Sequence, residues 1–221
     1  MKVAFSTDAD LFCYEPMIFK GTSFAGQTLA RGQNGQVSGT AFLAAGENFP
    51  AKQVRAGHLI YLSDGVGSLD GVYEIVRVDS ASQLTLSVFR ADPESEPIPV
   101  GTGTSLFYRI GTFDAQSAEA ARLLMEALPI APDRPDAAFR LEDLLSTEPL
   151  RILSVRMVLA MVFSSLVQNK ETEALYRSKQ QHYEQAAEQI RRRTLLRFLS
   201  EDGTIIEKPL APLSPKMSRK E

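Results

Sequence analysis

The stretch AGHLIYLSDGVGSLDGVYEIVRVDSASQLTLS, residues 56–87, decides how this chain is read. Its runs LIYL (59–62), VYEIVRV (72–78) and LTLSVF (84–89) are rich in β-branched and aromatic residues, and glycine, serine and aspartate separate them. They spell strand, turn, strand, turn, strand. Working outward, SLFYRI (105–110) adds a fourth strand and QVSGT (36–40) is a candidate fifth. Strands this short and closely spaced predict a small antiparallel barrel or sandwich, since closure removes edges that recruit other strands.

The flanks carry a different period. In STDADLFCYEPMIFK (6–20), Ser6, Thr7 and Asp8 suit the cap of a short helix, and Pro16 should stop it near Tyr14. After Phe113, DAQSAEAARLLMEAL sets Ala118, Ala121, Leu124, Met125 and Leu128 at helical spacing. Pro129, Pro132 and Pro135 end that helix in a stiff connector over 129–137. Further helices are expected near 139–146, over 149–168 and over 171–198. The second is the most apolar, but it carries Arg151 and Arg156. Its uninterrupted run from Met157 to Phe163 is far short of the roughly 20 residues that cross a bilayer, so it reads as a buried helix.

The last helix has a narrow stripe, Tyr176, Tyr183 and Ile190 at seven-residue intervals with Ala187, which suits contact on one side only. From Ser200 the chain holds an Asp202-Gly203 hairpin signal, three prolines and mixed charge, the composition of an extended arm. The expected fold class is therefore α+β. Residues 1–30 and 113–199 form a discontinuous helical core of four to five helices, 31–112 an inserted antiparallel β domain, and 200–221 a C-terminal arm.

A formal net charge of −3 with 44% apolar residues describes a soluble chain and argues against broad attraction to nucleic acid or anionic membrane. The lone Cys13 permits no intramolecular disulfide and no cysteine metal cluster, which points to a reducing compartment. The first residues, MKVAFSTDADLF, lack the apolar core and cleavage site of a secretory signal.

Chemistry-bearing motifs are sparse. The loop Ser63 to Gly71 has the glycines of a phosphate loop but leads into a strand without a Gly-Lys-Ser, so its glycines and Asp64 and Asp70 read as turn residues rather than phosphate or calcium ligands. His58 and His182 belong to no spaced ligand set, and Cys13 reads as a small buried hydrophobe. Glu142 and Asp143 diverge on a helix and make a poor acid–base pair. An enzyme is not expected, nor a cofactor or metal. The concentrated basic feature is Arg191, Arg192 and Arg193 with Arg197, placed to meet phosphate or an acidic partner, or to complement a helix C-terminus.

The layout as a whole resembles the head-to-tail adaptor (connector) proteins of tailed bacteriophages. The likeness rests on DLFCYEPMIF (10–19) with its Tyr-x-Pro ending, the β insertion closing at FYRIGTFD (107–114), the buried helix around 150–167, and ALYRSKQQHY (174–183). It implies a structural virion protein without chemistry of its own, a homo-oligomer in a dodecameric ring at the neck, assembled in the host cytoplasm. Portal protein would lie on one side, tail or stopper proteins on the other and capsid protein nearby, with DNA passing through the channel and no membrane involved. On this reading Tyr176, Tyr183 and Ile190 belong to the subunit interface. Ile205, Ile206, Pro209, Leu210 and Leu213 belong to a portal-binding arm, and the four arginines contact the channel or an acidic partner. Two other readings stand beside it: a stopper protein of the same particle, and a glycan-binding β module using Tyr61, Tyr73 and Tyr108.

Overall fold

The computed structural model describes residues 4–20, 27–128, 130, 139–167, 173–200 and 202–211. The chain divides into two compact units, one of residues 7–113 and one of residues 1–6 with 114–221. The class is α+β: a closed antiparallel barrel in the first unit and a set of helices in the second.

The barrel unit opens with helix α1 (Asp8–Tyr14). Thr7 caps it: its Oγ1 accepts from the Asp10 N–H, while the Asp10 carboxylate accepts from the Thr7 N–H at 2.8 Å. Glu15, before Pro16, is the C-cap, as the proline predicts. A one-turn helix α2 (Met17–Lys20) follows. Expected in the helical core, α1 and α2 instead lie with the barrel, where Phe12 stacks on Phe89 at 4.2 Å and Phe19 meets Phe113 edge-on. The exposed side of α1 carries Cys13, which corrects its expected burial. Leu11 faces inward, and two residues further along a helix the chain has turned through about 200°.

Six strands close the barrel in the order β1 (Thr28–Gly39), β2 (Ala41–Ala44), β5 (Gln83–Ser87), β4 (Asp70–Val78), β3 (Leu59–Ser63), β6 (Gly101–Gly111) and back to β1, every pair antiparallel. Inward alternation gives one core that includes Val37, Phe42, Phe49, Ile60, Leu62, Ile75, Leu84, Leu86, Leu106 and Ile110. Strand β1 is much longer than QVSGT and runs through Gly32 and Gly35. A Cβ on Gly32 would sit 2.6 Å from the Tyr108 ring, and one on Gly35 2.8 Å from Phe42. The glycines are there because aromatic rings lie flat against the strand.

In the second unit, α3 (Asp114–Ala127) packs on α4 (Glu148–Leu166), and α4 packs on α5 (Glu173–Arg193). By length and composition α4 qualifies as a membrane-crossing helix, yet Leu150, Leu153, Met157, Val158, Val162 and Phe163 are buried against its neighbours. Ser6 ties the start of the chain to this unit, its Oγ 2.8 Å from that of Ser154 and 3.4 Å from that of Ser117. The helix expected near 139–146 is a single 3₁₀ turn, Leu141–Asp143. The proline connector lies outside the described residues except for Leu128 before it and Ile130.

The last helix ends earlier than its spacing predicts. Thr194 Oγ1 bonds the Ile190 carbonyl, and the following residues form β7 (Leu195–Leu199), paired with β8 (Ile205–Pro209). Asp202 and Gly203 make the expected turn, with Gly203 at φ 83° and Asp202 Oδ1 accepting from the Thr204 N–H. The first part of the arm thus folds back as a hairpin.

Candidate functional site

The outer wall of β1 and β6 carries a groove of about 700 Å³, lined by Thr28, Arg31, Gly32, Lys52, Phe107 and Arg109 among others. Register explains the gathering. Arg31 pairs with Arg109, and Arg109 with Tyr61, so the three outward side chains form a row across β1, β6 and β3. Between Gly32 and Gly35, across Gln33 and Asn34, the β1–β6 register shifts. Phe107 meets Tyr61 edge-on, with centroids 6.1 Å apart.

The three cations are held differently. Arg31 is exposed, and no ion pair to it is found among the described residues. Arg109 is half-buried and donates to the Phe19 carbonyl at 2.6 Å; burial lowers its pKa. Lys52 bonds Glu47 Oε2 at 2.5 Å, while Glu47 Oε1 accepts from the Tyr108 hydroxyl at 2.8 Å. Burial alone would raise the Glu47 carboxyl; the hydrogen bonds from Lys52 and Tyr108 outweigh it and hold the carboxyl below its ordinary range. Burial, then the Glu47 hydrogen bond and charge, push the Tyr108 hydroxyl upward. Arg31, Arg109 and Lys52 thus line the groove beside the Phe107 ring, with Glu47 paired to Lys52.

The residues singled out from sequence fall elsewhere. Asp64 closes its own loop, accepting backbone N–H bonds from Val66, Gly67 and Leu69, which fits the turn reading. Asp70 pairs with Lys20 at 2.8 Å. His58 is buried and bracketed by Arg55, whose backbone N–H lies 3.3 Å from Nδ1 and whose Nε lies 3.2 Å from Nε2. His182 is exposed and packs edge-on against Tyr183. Tyr108 lies in the barrel core and Tyr73 packs against it from the face of β4 that pairs with the buried Ile60, so neither shares the outer surface of Tyr61.

In the helical unit, Tyr183 stacks on Phe163 at 5.8 Å and Tyr176 on the same ring at 6.0 Å. The stripe therefore makes its contact within the chain, against α4; Tyr176 and Ile190 keep part of their surface exposed. Arg191 forks onto Glu188 at 2.7 Å and also reaches the Leu210 carbonyl, Arg192 bonds the same carboxylate, and Arg197 lies 3.6 Å from Glu207. The hydrogen bonds from Arg191 and Arg192 hold the Glu188 carboxyl down at about 2. Arg193 is exposed, with no ion pair among the described residues. The basic cluster is thus divided among internal partners.

Of the arm residues, Leu210 is buried, Ile206 is half-buried, Ile205 and Pro209 are exposed, and Leu213 lies outside the described residues. Cross-strand pairing puts Leu195 with Pro209, Arg197 with Glu207 and Leu199 with Ile205 on one exposed face, apolar at both ends and ionic in the middle. Sequence reasoning missed this face because 194–198 continued a helical pattern, although TLLRFL before an Asp-Gly turn carries the alternation of a strand. It missed the groove because Arg31, Lys52 and Arg109 come from separate segments with no shared motif.

Compared with known proteins, the chain matches no family model, no curated protein and no solved structure.

Proposed function

We propose that this chain is a structural virion protein of the head-to-tail adaptor kind, forming a ring beneath the portal and joining capsid vertex to tail. The observation that carries the reading is the insertion: a complete barrel enters the chain between Ser6 and Asp114, and the helices that follow end in a hairpin with an exposed apolar face. The resemblance implied a β insertion between a first short helix and the later helices; α1 belongs instead to the barrel unit, so what supports the reading is the barrel followed by helices.

In this reading the hairpin face of Leu195, Leu199 and Ile205 meets the portal, and weak contacts repeated around a ring sum to a durable joint. A truncation at residue 200 would also remove β8 and the buried Leu210, so a point substitution is the cleaner probe of the contact. Electron microscopy of the protein mixed with portal rings from its own particle should show added density beneath the portal, absent for Ile205→Asp. A bare portal in the presence of folded, monodisperse wild-type protein overturns the proposal.

A further inference from the structure

The groove on β1 and β6 has no part in the portal joint proposed above, and its cations differ in how far they are engaged. Lys52 is paired with Glu47, and Arg109 donates to the Phe19 carbonyl, so both already have work within the barrel unit. Arg31 is exposed, with no ion pair among the described residues. Register sets it directly opposite Arg109, and the buried Ala30, Tyr108 and Ile110 beside them fix both arginines on the outward face. Like charges at directly paired positions repel, so this cross-strand pair costs stability that an anion set against Arg31 would return.

Phe107 supplies a second, independent observation. It lies two residues from Arg109 on β6, on the same outward face, and is diagonal to Arg31; such positions are about 7–8 Å apart, within reach of long and aromatic side chains. The ring is apolar yet 36% exposed. It meets Tyr61 edge-on and lines the groove, whose volume of about 700 Å³ also takes in the exposed Gln33.

We infer that the groove binds single-stranded nucleic acid, with a phosphate on Arg31 and the adjoining base stacked on Phe107. A free phosphate or an acidic peptide would use the arginine and leave the ring idle, and a duplex keeps its bases stacked on one another. An unpaired nucleotide uses both side chains at once. The chain's overall charge of −3 confines the attraction to this groove and keeps the affinity modest. The inference goes beyond the adaptor reading and does not rest on it: its test uses the isolated full chain and needs no portal.

Fluorescence anisotropy of a labelled thymidine octamer should show micromolar binding at about 50 mM salt, weakening as salt rises. Arg31→Glu should weaken it about tenfold or more and lower the salt slope by about one. Phe107→Leu keeps an apolar side chain but removes the ring, and should cost about fivefold or more with the salt slope unchanged. Both side chains are at the surface, and far-UV circular dichroism checks that both variants fold. Arg193→Glu, at an exposed arginine of the helical unit, should bind as the wild type does.

A wild-type chain that leaves the octamer unbound at that salt concentration overturns the inference. So does unchanged binding by either Arg31→Glu or Phe107→Leu, or equal affinity for a hairpin duplex or a glutamate octapeptide. Thymidine monophosphate bound as tightly as the octamer would assign the groove to a free nucleotide and overturn the strand. Octamer binding beside a bare portal leaves this inference standing and the adaptor reading overturned; a decorated portal with the octamer unbound does the reverse.

Discussion

The barrel pairs both edges of each of its six strands, whereas the β7–β8 hairpin pairs one edge of β8 and leaves the other without a strand among the described residues. On β7 the outer edge is partly used: the Leu145 N–H bonds the Arg197 carbonyl at 2.9 Å, and Leu144 bridges to Phe198. Closure makes a unit whose stability lies in its own core. The hairpin instead keeps an open edge on β8 and a face on which Leu199 and Ile205 are each nearly half exposed. In one chain the two β structures follow opposite rules, one closing every edge and the other leaving an edge open among the described residues.

The sharpest way to break that contrast is to open the barrel from inside. Phe42 is fully buried and meets both Phe49 and Tyr108, so Phe42→Ala should destabilise the barrel unit by about 3–5 kcal/mol, read from urea unfolding. The same variant should leave the proposed portal contact of the hairpin, if assayed below the unfolding midpoint, at wild-type strength. A loss under about 1 kcal/mol would mean that the aromatic cluster is not the centre of the barrel.

A smaller effect is expected at the strand surface. Gly32→Ala drives a methyl toward the Tyr108 ring and should cost about 1–3 kcal/mol through displacement of that ring. Combined with Tyr108→Leu, which removes the ring and the hydroxyl bonded to Glu47, its penalty should largely disappear in a double-mutant cycle. Additive penalties would show that backbone conformation, not the ring, requires the glycine.

The smallest effect belongs to the end of α5. With the Glu188 carboxyl held at about 2 in the folded chain and near 4.5 when unfolded, its contribution is present above about 4.5 and disappears as pH falls through 2. The carboxylate is 41% exposed, so solvent screening leaves only about 0.5 kcal/mol. Glu188→Gln should remove that small acid-dependent component from the denaturation midpoint while leaving the neutral-pH fold intact. A midpoint with the same acid dependence in the variant would assign the effect to other carboxylates.

Much of the barrel was legible because LIYL, VYEIVRV and SLFYRI are β-branched and aromatic runs separated by glycine, serine and aspartate. What escaped has particular causes. Strand β2, AFLA, is four residues long and owes its existence to pairing with β1 and β5, a tertiary fact. At Gly32 and Gly35 nothing local reveals that Tyr108 and Phe42 will lie over them. The Tyr176 and Tyr183 stripe was visible as a one-sided contact surface, but periodicity cannot say that Phe163 of the same chain covers it. The groove row needs Arg31 beside Arg109, and that adjacency exists only once the first strand closes on the last.

The two ends of the barrel unit are stapled together: the Phe113 N–H donates to Asp8 Oδ1 at 2.9 Å, while Ser6, one residue outside the unit, is held against Ser117 and Ser154. Bringing together the ends of a flexible loop of about 100 residues would take about 4 kcal/mol of chain entropy. A barrel that folds first has already met that demand, and hands the helices an N-terminal residue positioned for docking.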